Sequence, residues 1–133
     1  MSARQGTKVQ RAEPRYKGGA EGDAERALQI ATDIGAKGKE GIGHRVLGMV
    51  YREQERWEDA VDEFKRGIYI LEEYGERVES SEIHYEYGLM WKAKGRQEKA
   101  KEHLEKALSM LEDMGMKLWS EKSEETLMAI EVD

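Results

Sequence analysis

The chain repeats itself at a shift of 40 residues, and this self-similarity limits the possible folds more than any other feature of the sequence. His44, Gly48, Arg56, Glu58, Ala60, Leu71, Glu72, Gly75 and Ser80 recur as His84, Gly88, Arg96, Glu98, Ala100, Leu111, Glu112, Gly115 and Ser120. Conservative pairs fill the gaps: Tyr51 with Trp91, Phe64 with Leu104, Gly67 with Ala107, and Ile68 with Leu108. Ala20, Arg26, Ile30 and Gly35 precede Ala60, Arg66, Ile70 and Gly75 by the same interval, and the match fades upstream of about residue 18. A period of this length marks stacked supersecondary units, each too small to bury its apolar face alone.

Within a unit the spacing is helical. Leu47, Gly48 and Tyr51 form one stripe, and Ala60, Phe64, Gly67, Ile68 and Leu71 form a second. The short polar links Gln54-Glu55-Arg56 and Lys94-Gly95-Arg96 force the two helices antiparallel and into contact. Gly35, Gly75 and Gly115 stand where the second helix of each unit closes. The spacing predicts helices over 20–34, 41–54, 57–73, 79–94, 97–114 and 118–130. Eight of the fourteen glycines lie in the first 43 residues, so Gly41 and Gly43 are expected to loosen the start of the second helix. The predicted fold is all-α: a short α-solenoid of antiparallel helix pairs, about two and a half units plus a C-terminal capping helix. Residues 1–17 read as a basic, flexible arm, dispensable for folding, and residues 18–133 as the repeat domain. Its units fall at about 18–40, 41–80 and 81–120, with the cap at 118–130.

Composition narrows the function. Apolar and charged residues each make up 38% of the chain, which suits a solvated helical protein. The absence of cysteine excludes disulfides and thiolate metal sites. No apolar stretch approaches membrane-spanning length, and the N-terminus has no signal core, so a cytoplasmic protein is expected, with no membrane partner. The net charge of −6 argues against nucleic acid as a partner, because phosphate contacts dominate that affinity. The charge is uneven. Residues 1–22 carry Arg4, Lys8, Arg11, Arg15 and Lys17 against Glu13 and Glu21, a balance of +3 that leaves −9 for the remainder.

Leu47-Gly48, Tyr51, Ala60, Phe64 and Gly67 resemble the tetratricopeptide repeat motif, as do Tyr87-Gly88, Trp91, Gly95, Ala100, Leu104 and Ala107. The resemblance covers about residues 19–130. In physical terms Gly48 with Ala60, and Gly88 with Ala100, are small residues expected to face each other where two helices meet. The family's usual unit is about 34 residues. A 40-residue unit is similar to the long type found in signalling scaffolds and in the tails of regulatory ATPases and cyclases. Two departures stand out: Glu55 occupies a place where the motif prefers glycine, and Lys8 stands where Gly48 and Gly88 stand.

No catalytic constellation emerges, so the protein is expected not to be an enzyme and to need no cofactor. Gly41-Ile42-Gly43 lacks the spacing of a dinucleotide loop, and Gly38-Lys39 lacks that of a phosphate loop. His44 and His84 share one repeat position and read as packing residues, while His103 beside Glu102 reads as part of a solvated face. No metal site is expected.

The resemblance implies that the first helices of successive units line a concave face that holds a protein segment. Turning about 100° per residue from the core stripe brings Arg45, Met49 and Arg52 to that face, with Tyr85, Leu89 and Lys92 as their repeat equivalents. An aromatic ring, two aliphatic side chains and three cations suit a peptide or helix bearing acidic and apolar residues. Arg52 and Lys92 are both expected to be exposed. Many members of the family clamp a C-terminal carboxylate with asparagine and lysine. Met49 and Leu89 occupy the place of that asparagine, so no such clamp is expected. The alternative role is structural: a self-associating segment that forms a homodimer through apolar surface left at the N-terminal end, where the first unit is incomplete.

Overall fold

The computed structural model describes residues 19–115 and 117–132. These form α1 (Ala20–Ile34), α2 (Lys37–Glu53), α3 (Trp57–Glu73), α4 (Arg77–Lys94), α5 (Gln97–Asp113) and α6 (Lys117–Val132), with no strand among the described residues. The fold is the short solenoid that the repeat predicts. Consecutive helices pack as neighbours, and α2 also touches α4 one unit on. The basic arm at residues 1–17 lies outside the described residues.

One turn is used again and again. Residues 35, 55, 75, 95 and 115 all take the left-handed conformation, at intervals of half a unit. At the first four, the left-handed residue donates to the carbonyl three residues back, as Gly75 does to Glu72 at 3.3 Å. The following residue donates five back, as Glu76 does to Leu71 at 2.9 Å. This double bond satisfies carbonyls that the helix end would leave orphaned. That following residue then accepts the first bond of the next helix, as Glu76 does from Ser80 at 2.8 Å. One residue therefore ends a helix and starts the next, which leaves no slack and folds each helix back on its predecessor.

Four of the five left-handed positions are glycine. Glu55, with φ of 57°, is the exception, and its repeat equivalent Gly95 has φ of 86°. A side chain in this region crowds the following carbonyl.

Tight helix crossings set the second constraint. A Cβ on Gly67 of α3 would stand 2.4 Å from Ile83 of α4 and 3.2 Å from the Gly41 carbonyl of α2. Three helices meet there with room only for hydrogen. In the next unit the same junction is built by Ser81, Ala107 and Ser123, all fully buried. Gly88 meets Ala100 as expected, a Cβ there standing 3.2 Å from the Ala100 carbonyl, and the large side chains of Leu104 and, at Gly48, of Phe64 come closer still. The glycine makes a socket for the large residue one turn further along the partner helix. Around these sockets runs a continuous core of Leu47, Tyr51, Phe64, Leu71, Ile83, Tyr87, Trp91 and Leu104, extended by Leu127 and Ile130 of α6.

The glycines of α2 do not loosen it. The helix starts at Lys37, four residues before the predicted start, and runs through Gly38, Gly41 and Gly43. A Cβ on Gly41 would lie 2.4 Å from Leu71, and one on Gly43 would lie 3.1 Å from Leu28. Close packing outweighs the low helix propensity of glycine at these positions.

Two stability tests follow. Glu55→Gly should stabilise the fold by about 0.5–1 kcal/mol by relieving the left-handed side chain, and Gly95→Ala should cost about 1 kcal/mol. Urea midpoints that fail to move in opposite directions would remove strain from the account of these turns. In the core, Gly48→Ala should cost about 1–3 kcal/mol even though alanine favours helix by about 1 kcal/mol. A Cβ there would stand 2.8 Å from the Phe64 ring. A raised midpoint would mean that the crossing relaxes freely.

Candidate partner-binding face

The repeat brings α2 beside α4, each the first helix of its pair, and Tyr85 of α4 reaches α6. Polar contacts join them. Arg52 of α2 donates through Nη1 to Glu86 of α4, at 2.9 Å to Oε1 and 3.2 Å to the main-chain carbonyl. The Tyr85 hydroxyl of α4 lies 3.4 Å from Thr126 Oγ1 of α6.

All six residues predicted for this face lie on α2 or α4, but they differ in what they offer. Met49 and Tyr85 are half-buried and pack against the core, and Leu89 is also half-buried. Arg45 is half-buried and reaches Met49 Sδ at 3.6 Å, and its Nε is enclosed without a hydrogen-bond partner. Lys92 is exposed. Arg52 is not the exposed cation that was expected: its side chain is 13% exposed and ion-paired with Glu86, itself 16% exposed. Glu86 was missed because it lies 34 residues away on another unit, where no single-helix pattern shows it.

Two histidine contacts lie one unit apart, one between α2 and α3 and one among α3, α4 and α5. His44 of α2 pairs with Glu63 of α3 at 2.7 Å. One unit later His84 meets His103 at the same separation of 19 residues, with the two Nδ1 atoms 3.1 Å apart. His84 Nε2 also lies 3.0 Å from Glu72 Oε2. With both rings neutral the bonds order themselves. Glu72 can only accept, so His84 donates from Nε2 and its bare Nδ1 accepts from His103. His103 is therefore no solvated residue. It is half-buried, stacked on His84 with ring centroids 5.3 Å apart and tilted against Tyr87 at 4.4 Å. The signal was present in the repeat, since His103 stands where Glu63 stands.

Burial holds the His84 imidazole below its usual range, against the pull of Glu72. His103 is pushed down to about 4, first by burial and then by the neighbouring His84, with Lys99 and Lys106 adding to the effect and Glu102 opposing it. Both folded values lie below the unfolded value of about 6.5, so the unfolded chain binds protons first as pH falls. Stability from this pair is complete above about pH 6.5 and is lost as pH falls toward about 4.

Among the described residues, no group of three or more His, Asp or Glu side chains is arranged to hold a metal ion, and no helix is long and apolar enough to cross a membrane. Residues 40–113 match the tetratricopeptide repeat family, and the chain belongs to it. Proteins of this kind generally mediate contacts between proteins. No curated protein and no solved structure matches the chain.

The histidine pair carries a pH test. The thermal midpoint should fall between pH 7 and pH 5. In His103→Glu, which recreates the His44–Glu63 arrangement, the fall should be abolished or reversed, because His84 then gains a partner for its charged form. Equal slopes in both proteins would show that the pair does not titrate with folding.

Proposed function

We propose that this chain is a non-catalytic adaptor that holds a segment of another protein, in the cytoplasm, on the face built by α2, α4 and α6. Met49, Tyr85 and Leu89 supply the apolar contact, and Arg45 and Lys92 select a segment with acidic residues. Arg52 serves a different end. Its bond to Glu86 fixes α2 against α4 and so holds the spacing of the contact residues. The observation that carries this reading is Arg45: a guanidinium held half-buried beside Met49 with its Nε unsatisfied, on a helix that packs directly against the one bearing Tyr85 and Leu89. The enclosed Nε leaves this half-buried guanidinium incompletely bonded, and a carboxylate of a bound segment would pair with the charge from its accessible side.

The test places a photo-crosslinking residue at position 49 or 89, and at Glu105 on the opposite side as a control. Labelling from positions 49 and 89 alone should identify the partner segment. With that segment as a synthetic peptide, Arg45→Glu combined with Lys92→Glu should weaken binding roughly tenfold or more, and added salt should weaken the wild-type interaction. A folded double variant that binds at full affinity would place the binding surface elsewhere. Arg52 is left out of this pair because its removal would disturb the α2–α4 contact.

A further inference from the structure

The groove over the histidine pair carries a charge that its repeat counterpart does not share. It runs between α3 and α5, reaches the buried His84 and Tyr87 of α4, and has a volume of about 460 Å³. Lys65 of α3 and Lys99 and Lys106 of α5 line it, all three exposed. Among the described residues none of the three is ion-paired, and Lys99 only leans over the Trp91 ring, 5.2 Å from its centroid. That is unusual in a chain where 28 acidic residues face 22 basic ones. One unit earlier the equivalents of these lysines are Glu25, Asp59 and Arg66. Glu72, Glu102 and His103 also line the groove, where the earlier unit has Thr32, Asp62 and Glu63. With His103 neutral the balance over these six positions is +1 here and −3 one unit earlier. Unpaired ammonium groups gathered on one groove raise its potential and concentrate anions there.

The histidine pair adds a nitrogen able to bond. His84 donates to Glu72 and accepts from His103 Nδ1 at 3.1 Å, which commits one carboxylate of the lining and one nitrogen of His103. His103 Nε2 is left over: no protein group bonds it, and it is not enclosed. On the neutral ring this nitrogen bears no proton. On a charged ring it becomes an N–H donor while the bond to His84 is kept. Tyr69 of α3 and Tyr87 of α4 are the other titratable groups of the groove among the described residues. Burial raises the Tyr87 phenol, so it stays neutral.

We propose that this groove binds an oxyanion, a phosphate or carboxylate group, between Lys65, Lys99 and Lys106, and that His103 takes up a proton at Nε2 as the anion docks. The proton comes from solvent, and no other bond is made or broken. His103 then donates from Nε2 to the anion in a charge-assisted bond. The anion favours the charged ring against burial, the neighbouring His84 and the lysines, which otherwise push His103 down to about 4. Glu102 repels the anion but favours the same charged ring, and three lysines outweigh it. The groove shares no residue with the face proposed for a protein segment, so each reading stands or falls on its own.

The test titrates the full chain with pyrophosphate and, separately, with citrate at millimolar concentration, and follows the imidazole resonances of all three histidines by NMR. His84 and His103 should move, and His44, whose counterpart groove is acidic, should not. The titration midpoint of His103 should rise by about one unit or more when either anion is bound. Tighter binding of pyrophosphate would assign the groove to phosphate groups, and tighter binding of citrate to carboxylates. Lys65→Gln with Lys106→Gln should weaken binding roughly tenfold or more, whereas Lys39→Gln with Lys92→Gln, which removes the same charge elsewhere, should weaken it less than about twofold. All four positions are exposed, and circular dichroism of each variant checks that it folds. Equal weakening in the two pairs, or equal movement of all three histidines, would reduce the effect to overall charge and overturn the proposal. An unmoved His103 midpoint overturns it as well.

Discussion

The left-handed turn that recurs at half-unit intervals is the constraint on which the rest depends. It satisfies the last carbonyls of one helix and supplies the first acceptor of the next, with only two or three residues between the helices. With no slack in the link, a helix cannot drift along its neighbour, and the register between adjacent helices is fixed by the backbone. Side chains then need only agree with that register. This is why the turn tolerates Glu55 at a position that is glycine in the other four: the strain at one turn is small against the packing that both adjoining helices make.

Because register is fixed, close approach can be built from the smallest side chains. The Gly41–Gly67–Ile83 junction and its Ser81–Ala107–Ser123 counterpart show two solutions to one geometry, one with room for hydrogen alone and one that admits small polar groups. The polar version has a cost. Ser81 bonds to the Val78 carbonyl at 2.6 Å, whereas the buried Ser123 hydroxyl finds no partner. The α5–α6 contact is thereby the less well satisfied of the two.

Much of the fold was legible in the sequence, because its signals are local or periodic. The number of helices, their order and the glycine turns follow from a 40-residue shift and from helical spacing. What was not legible depends on partners in other units. Glycine propensity alone puts the start of α2 too late, because it takes no account of the room that Gly41 and Gly43 give to Leu71 and Leu28. The pattern of α2 alone places Arg52 outward, because the carboxylate that holds it belongs to the next first helix. Charged sequence neighbours make His103 look solvated, although its repeat counterpart Glu63 marks it as facing a histidine. For the face formed by α2 and α4, the positions were legible and the state of each side chain was not.

The two histidine clusters show how such a scaffold separates what is fixed from what varies. His44 and His84 occupy one repeat position with nearly the same burial, and the backbone presents each to the residue 19 positions later. A carboxylate there gives a charge-compatible pair. An imidazole there gives a pair that is best satisfied when both rings are neutral. One repeat position thus carries two different pairs, His44 with a carboxylate and His84 with an imidazole that burial pushes down to about 4. The same logic applies to the proposed binding face, where Met49 and Leu89, Arg45 and Tyr85, and Arg52 and Lys92 are repeat equivalents with different chemistry. Identical backbones present these pairs one unit apart, so the face is not two copies of one site. It is a single asymmetric surface with direction along the stack, which is the property needed to fix the polarity of a bound segment.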